Sequence, residues 1–311
     1  MSVLGPITVR QASPADLPEL DRIFRLAFGT FLGLPDPSRF AGDAEYVHNR
    51  WAADPEGALA AEVNGELAGS NFLTRWGSFG FFGPLTVRPD FWDRGVAKAL
   101  LAATVDRFAA WRLARAGLYT FPHSAKHVGL YQKFGYWPRY LTMVMARPVV
   151  ADAPRVAFDR YSGLPDKTRA LAEARELTGA IYRGLDVTRE IEAVFARTLG
   201  DTLFIRRGAR LAALAVCHAG AGTEAGSGTC YVKFGAASEA PDFSDLLSAC
   251  DAFALAAGAT RIRAGVNTAR TTAYRMMLEQ GFRAANQGIA MESGDGNGYN
   301  RPDTFVLDDW Q

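Results

Sequence analysis

The sequence predicts a mixed α/β fold, with α and β elements sharing mixed sheets, built twice in tandem over residues 1–150 and 151–311. Three observations predict it. The chain has 311 residues, which suits about two domains of ~150 residues. Apolar residues make up 49% and charged residues 22%, enough for each half to build its own core. The same order of elements also runs through both halves with little residue identity: hairpin, strand, helix, strand, helix, a glycine followed by an aromatic, strand.

The first half opens on "ITVRQ" (7–11), which alternates as a short strand. "SPADLPELDRIFRLAF" then starts a helix, with Ser13 as N-cap, Pro14 at the first helical position and Asp16 completing a capping box. Leu17, Leu20, Ile23, Phe24 and Phe28 share one face of it. "GDAEYVHNRWAA" reads as a second short helix capped by Asp43. "ALAAEV-NG-ELAGSNFLTRW" is a hairpin, because Asn64-Gly65 tolerates the positive φ angles of a two-residue turn. "GFFGPLTV" (80–87) continues the sheet. Pro84 has no N–H to give the ladder, so this strand must bulge or lie at an edge. A long helix is expected from Val96 to about Ala116, stopped by Gly117. The strand "LYTF" follows, then the helix "SAKHVGLYQKF" ended by Gly135, then one or two strands in "YWPRYLTMVMARPVV".

The proline-rich stretch 146–166 reads as the linker. Two helices follow near 166–178 and 188–199, then the hairpin "TLFI-RRGA-RLAALAVCHAG" and the strand "TCYVKFGAA". The helix "DFSDLLSACDAFALAAG", the strand "TRIRAGV", the helix "TARTTAYRMMLEQ" stopped by Gly281, and further strand complete the second half.

Composition narrows the function. Net charge is +1, from 34 basic and 33 acidic residues. That gives no electrostatic case for nucleic acid or an anionic membrane surface. No run of ~18 apolar residues suggests a membrane span, and the N-terminus lacks the pattern of a secretory signal. Cys217, Cys230 and Cys250 form no C-x-x-C pair, so neither a disulfide framework nor a metal site is expected. They read as buried thiols of a cytoplasmic protein.

The informative stretch is "GFFGPLTVRPDFWDRGVAKALL", a bulged strand, a turn holding Gly95, and a helix start. A pyrophosphate needs several converging N–H donors with the positive end of a helix behind them. A loop over 92–97 can aim successive amides inward as a nest, Gly95 permits the backbone angles, and Ala97 and Ala99 keep the first turn small. The pattern is neither a dinucleotide fingerprint nor a nucleoside-triphosphate loop. A bulge at Gly83-Pro84 would splay strand 80–87 from strand 118–121, leaving Leu85, Thr86 and Val87 with backbone groups that a pantetheine arm, with amides of its own, could pair.

With "HSAKHVGLYQKFGYWPR" about thirty residues downstream, the first half from about residue 7 to 148 resembles the GNAT acyltransferase superfamily, and the whole chain resembles its tandem two-domain form. The first stretch is similar to the family's acyl-CoA pyrophosphate loop, with Trp92 where a Gln or Arg usually stands and Ala97 for the last Gly. The second is similar to its late helix, with Ser124 in place of an Asn. The resemblance implies acetyl-CoA as co-substrate, held by Leu85, Val87, Asp93, Arg94, Gly95, Val96, Ala97, Lys98 and Ser124. It also implies Tyr131 as the acid that protonates the departing thiolate. Outside the family pattern, a Tyr beside Leu130 on an amphipathic helix reads first as core. Val87 N–H is the expected oxyanion donor.

The base is left open between His123 and His127, the histidines near the site, with His48 and Glu45 ranking below them. His218 reads as incidental. Phe28, Phe31, Trp51, Trp76, Phe79 and Phe82 suggest an aromatic wall for a small amine acceptor. No cysteine lies in the first half, which favours direct transfer over a covalent enzyme intermediate. The expected activity is N-acetylation of a small primary amine. A longer acyl-CoA donor, or a regulatory acyl-CoA-binding pseudo-enzyme, stands as the alternative.

The second half lacks the Arg-Gly loop, carries Glu239 and Asp242 where phosphate would sit, and has Met277 where Tyr131 would be. It reads as a degenerate copy that covers the sheet edge, walls the acceptor site or forms a homodimer. Its C-terminal segment "RPDTFVLDDWQ" is expected to reach the first half, with the terminal carboxylate of Gln311 as a further candidate base.

Overall fold

The computed structural model describes residues 5–296 and 298–310; the Gln311 expectation lies outside the described residues. In chain order the elements of the first half are β1 (Ile7–Gln11), α1 (Leu17–Phe31), α2 (Val47–Ala53), β2 (Ala58–Val63), β3 (Glu66–Trp76), β4 (Phe79–Val87), α3 (Val96–Ala110), β5 (Arg115–Thr120), α4 (Ala125–Gln132) and β6 (Tyr136–Pro148). Then come β7 (Asp159–Arg160), α5 (Lys167–Ile181), α6 (Thr188–Ala196), β8 (Gly200–Arg207), β9 (Arg210–Gly220), β10 (Gly226–Ala237), α7 (Ala240–Ala256), β11 (Arg261–Asn267), α8 (Thr271–Glu279), β12 (Arg283–Ser293) and β13 (Phe305–Leu307).

Local chemistry explains the starts and turns. Ser13 N–H and Oγ–H both donate to Asp16, at 2.7 and 2.8 Å, so the expected capping residues close the turn that leads into α1. Leu17, Leu20, Ile23 and Phe24 are buried against β2 and β3. Asn64 and Gly65 both take positive φ, 55° and 81°, as the hairpin required.

The strands form one mixed sheet across both halves, in the order β1-β2-β3-β4-β5-β12-β6-β11-β10-β9-β8-β7. The two halves exchange strands. β12 of the second half pairs with β5, and β6 of the first half pairs with β11, while β6 and β12 pair with each other. The cores record the same exchange. Met143 and Met145 of β6 pack into the second half's core, and Met291 of β12 packs beneath α3. Trp76, Phe79 and Phe81 pack with Phe204, Leu214, Phe234 and Trp310 in a core common to both halves.

Several boundaries differ from expectation. α3 ends at Ala110 rather than near Ala116, because the chain turns through Arg112 at φ 54° to start β5 at Arg115. α2 starts at Val47, and Asp43 does not cap it; its carboxylate accepts from Ser227 N–H at 3.0 Å and from Ser227 Oγ–H. β6 runs on to Pro148, so the connection between halves is shorter than 146–166.

Candidate active site

The site begins where β4 leaves β5. Their parallel ladder runs from Phe79–Arg115 to Phe82–Leu118 and ends there, although β4 continues to Val87. On the other edge of β4 the register shifts between Asn71–Leu85 and Leu73–Phe82, so Gly83 and Pro84 together oppose Phe72. This is the bulge that Pro84 required. The Arg50 guanidinium donates to the Gly83 carbonyl and is itself held by Glu224 at 2.9 Å, so a residue of the second half supports the bulge.

Beyond the bulge, Arg88 N–H donates to Ala68 O at 2.8 Å. Antiparallel pairing alternates, so Leu85 and Val87 turn their backbone groups away from β3 and into the gap. The indole of Trp92 donates to Val87 O at 2.7 Å. Trp92 thus takes the carbonyl of Val87 and leaves its N–H directed at the gap.

The loop that follows has the backbone of an anion nest. Asp93 and Gly95 take φ of 62° and 91°, and Gly95 is the N-cap of α3. A Cβ added at Gly95 would meet only Ile7 Cδ1, at 3.6 Å. The glycine is therefore needed for its backbone angle, and space stays open above the loop. Asp93, Gly95, Val96, Ala97 and Lys98 line a cavity of about 1170 Å³, as do Leu85, Val87 and Ser124. Arg94 does not; it is exposed, with its guanidinium over the Phe91 ring at 5.6 Å. Lys126 and Lys133 also line the cavity, Lys126 tied to the loop by its pairing with Asp93 at 2.6 Å. Converging amides, an open cradle, unpaired strand edge and three lysines fit a CoA pyrophosphate and its pantetheine arm.

α4 presents the candidate proton-transfer groups. Ser124 caps it, accepting from His127 N–H at 3.4 Å. His127 and Tyr131 stand four residues apart, hence on one helix face, and both line the cavity. Burial pushes the Tyr131 phenol up to about 12, with the neighbouring Thr120 side chain pulling the other way, so it is a protonated donor at neutral pH. Burial, helped by the charge of Lys126 and by His123, lowers His127 below the usual imidazole value, so it is a neutral acceptor there. His123 is exposed and outside the cavity lining, against the rings of Phe31 and Phe121 at 6.1 and 5.7 Å.

Aromatic residues wall the far side. Phe28, Phe31 and Phe82 line the cavity, joined by Phe24, Phe40 and Tyr46. Trp51, Trp76 and Phe79, expected beside them, do not. Trp51 donates to Ala12 O at 3.0 Å, and the other two are spent on the core between halves. Glu45 and His48 pair with each other at 3.1 Å, outside the lining. His218 is fully buried, pushed down to about 4 by burial and by Lys233.

The second half completes the wall with residues 225–227, Thr229, Arg261, Arg263 and Trp310. Arg261 and Arg263 are not among the residues that the sequence motifs single out. Their signal was the alternation in "TRIRAG", which puts both on one face of a strand. The second half also has its own splayed pair, β10 and β11, parallel from Thr229–Arg261 to Val232–Ala264. There the gap is filled by the protein itself. β13 pairs with β10 over Gly235–Ala237, and Asp308 N–H donates to Gly265 O of β11 at 3.0 Å. A Cβ at Gly265 would fall 2.4 Å from Asp309 Cβ, so this glycine lets the segment lie close. Met277 is fully buried in the core, and Asp242 pairs with Arg207 at 3.0 Å.

Among the described residues, no group of three or more His, Cys, Asp or Glu could hold a metal ion, and no helix is long and apolar enough to cross a membrane. Cys217, Cys230 and Cys250 are free and buried.

The split mixed sheet with an amide loop at the split can be set beside known proteins. The sequence model of the Acetyltransferase (GNAT) family matches residues 19–136. An acetyltransferase of Pectobacterium atrosepticum is 35% identical over 83 residues, 27% of this chain and 59% of that relative's length. Two solved structures cover 96% of the chain. One is a proposed acetyltransferase from Pyrococcus horikoshii, with TM-score 0.70, 16% identity and 93% of its chain covered. The other is a GCN5-related N-acetyltransferase from Sphaerobacter thermophilus, with TM-score 0.61, 14% identity and 99% covered. Residues 19–136 are thus similar to the GNAT acetyltransferase family, the chain spans under two thirds of the curated relative's length, and its fold over both halves is one that those two structures share.

Proposed function

We propose that this protein is an acetyl-CoA-dependent N-acetyltransferase of a small primary amine, working by direct transfer in a ternary complex. The observation that carries the reading is a single cavity lined by the amide loop at 93–97, by the split strand edge and by Tyr131. The loop amides and Lys98 hold the pyrophosphate, and Leu85 pairs with the pantetheine arm. The acceptor enters as the free amine, His127 takes one proton from its nitrogen during attack, directly or through water, and Tyr131 afterwards regains from solvent the proton it gives to sulfur. The amine nitrogen attacks the thioester carbonyl, whose oxygen takes the negative charge and is held by Val87 N–H. As the tetrahedral species collapses, the carbon–sulfur bond breaks and Tyr131 gives its proton to the thiolate.

We assign residues 1–150 the acyl-CoA site and residues 151–311 the roles of wall and support. The strand that fills the second gap and the cavity wall at 225–229, 261 and 263 both support that division. The buried thiols fit a cytoplasmic setting. The test is release of free thiol from acetyl-CoA across a panel of amines, with binding of acetyl-CoA followed by calorimetry. Thiol release that depends on the amine is the expected result. Tight acetyl-CoA binding with no release for any amine would instead identify an acyl-CoA-binding module.

A further inference from the structure

We propose that the acceptor amine carries an oxyanion group, a carboxylate or a phosphate, which Arg261 and Arg263 receive. This rests on the acetyl-transfer reading above and names its second substrate class. Both arginines lie on β11, two residues apart, and both line the cavity. Arg263 is partly buried, yet among the described residues it makes no ion pair. Its Nη2 donates to Glu224 O at 2.8 Å and to Tyr46 OH at 3.3 Å, its guanidinium lies over the Tyr231 ring at 4.5 Å, and its buried Nε has no hydrogen-bond partner. Arg261, exposed at the rim, donates to Thr229 Oγ1 at 3.1 Å and likewise makes no ion pair among the described residues.

The nearby acids are otherwise engaged. Asp43 accepts from Ser227, Asp309 accepts from Tyr231 OH at 2.7 Å, and Glu224 pairs with Arg50 and Lys233. Asp309 also contributes electrostatic attraction to Arg263. The partly buried Arg263 guanidinium keeps an unsatisfied Nε and has no carboxylate within ion-pair distance among the described residues, and an unmet buried donor is costly. A ligand oxyanion accepted by its fork would remove that cost. These arginines lie on β11, and their hydrogen bonds go to Thr229, Glu224 and Tyr46 rather than to the 93–98 loop. Phe24, Phe28 and Phe40 line the same cavity, Phe24 packing on Tyr46, which Arg263 touches, and suit an apolar body between the anionic end and the amine.

The test uses the full-length protein and two matched pairs of amines: L-phenylalanine against phenethylamine, and O-phosphoethanolamine against ethanolamine. Thiol release is measured for each, with acetyl-CoA affinity measured by calorimetry. The expected result is that at least one charged member exceeds its neutral partner by about tenfold or more in kcat/KM. Arg263→Gln should erase most of that ratio, chiefly through KM, with Arg261→Gln doing so to a smaller extent. Neither should change acetyl-CoA affinity. Arg263→Lys, which keeps the charge and loses the fork, should restore part of the ratio and guards against a folding defect in the Gln variant. Equal or better use of the neutral members, transfer to none of the four, or equal losses on charged and neutral members in the variants would overturn the proposal. Loss of acetyl-CoA binding in the wild type, or no thiol release with any amine of a wider panel, would instead be failure of the underlying activity.

Discussion

Tyr131 is worth most where it can be tested without disturbing the fold. It is buried and held protonated by that burial, and Phe would fill the same space. Tyr131→Phe should therefore lower kcat by about 10²–10⁴, the usual worth of a general acid, with KM for acetyl-CoA nearly unchanged. A fall of less than about threefold in steady-state assays would return this residue to the core. His127 makes a second prediction, about pH. Its imidazole must be neutral to accept a proton, and burial lowers its pKa below that of an ordinary imidazole. Activity should then rise with pH through a midpoint below 6.5, and the rise should vanish in His127→Gln. A midpoint above that of a free imidazole would exclude His127 as the base. Tyr131 was legible in the sequence only through its family pattern, since spacing alone also allows a core tyrosine. The choice between His123 and His127 was not legible. Both flank the start of one short helix, and only the three-dimensional path of α4 puts the second in the cavity and the first in solvent.

The β4–loop–α3 unit shows which parts of an element are written locally. Pro84 cannot donate to a ladder, so the bulge could be read from one residue. Gly95 before an alanine-rich helix marked the loop. The end of α3 could not be read, because "AAWRLARA" continues a good helical sequence. The chain leaves the helix after Ala110 since Arg115 must pair with Phe79 across the sheet, a tertiary demand that overrides propensity. The loop prediction follows from its backbone. At φ 91° Gly95 sits where a side chain is strained, which costs about 1 kcal/mol, while the space above it is open. Gly95→Asp should thus melt only slightly below wild type. The added carboxylate beside the phosphate nest should reduce acetyl-CoA affinity by tenfold or more, given about 1.4 kcal/mol per decade. Wild-type affinity by calorimetry would remove the loop from the binding site. The bulge has a support of its own. Removing one partner of a buried ion pair typically costs about 3–5 kcal/mol, so Glu224→Gln, which frees Arg50 from its carboxylate, should lower both the melting temperature and transfer activity.

At the scale of the whole chain, the repeat of element order was visible in the sequence, and the exchange of strands between the repeats was not. "YWPRYLTMVM" and the stretch from Arg283 each follow a helix and a glycine, and nothing local says which sheet each will join. The structure sends each to the opposite half, so β5 is bounded by β12 and β11 by β6. The splayed pairs diverge as well. The gap after Phe82 opens onto the cavity, whereas the gap after Val232 is closed by β13. From this follow a stoichiometry and a dependence. The full chain should titrate at one acetyl-CoA per chain, because the second gap already has a strand bonded into it and Met277 is locked in the core. A fragment ending near residue 150 would lose β12 from the edge of β5 and β11 from the edge of β6. It would also lose the partners of Trp76 and Phe79 in the common core and the Glu224 carboxylate under Arg50. Unpaired strand edges and newly exposed aromatics favour aggregation. The fragment should therefore be poorly soluble or inactive, as judged by size-exclusion chromatography and thiol release. Two equivalent acetyl-CoA sites in calorimetry would mean that β13 yields to ligand. A soluble and fully active fragment would mean that β6 can fold back beside β5, with the second half dispensable to the site.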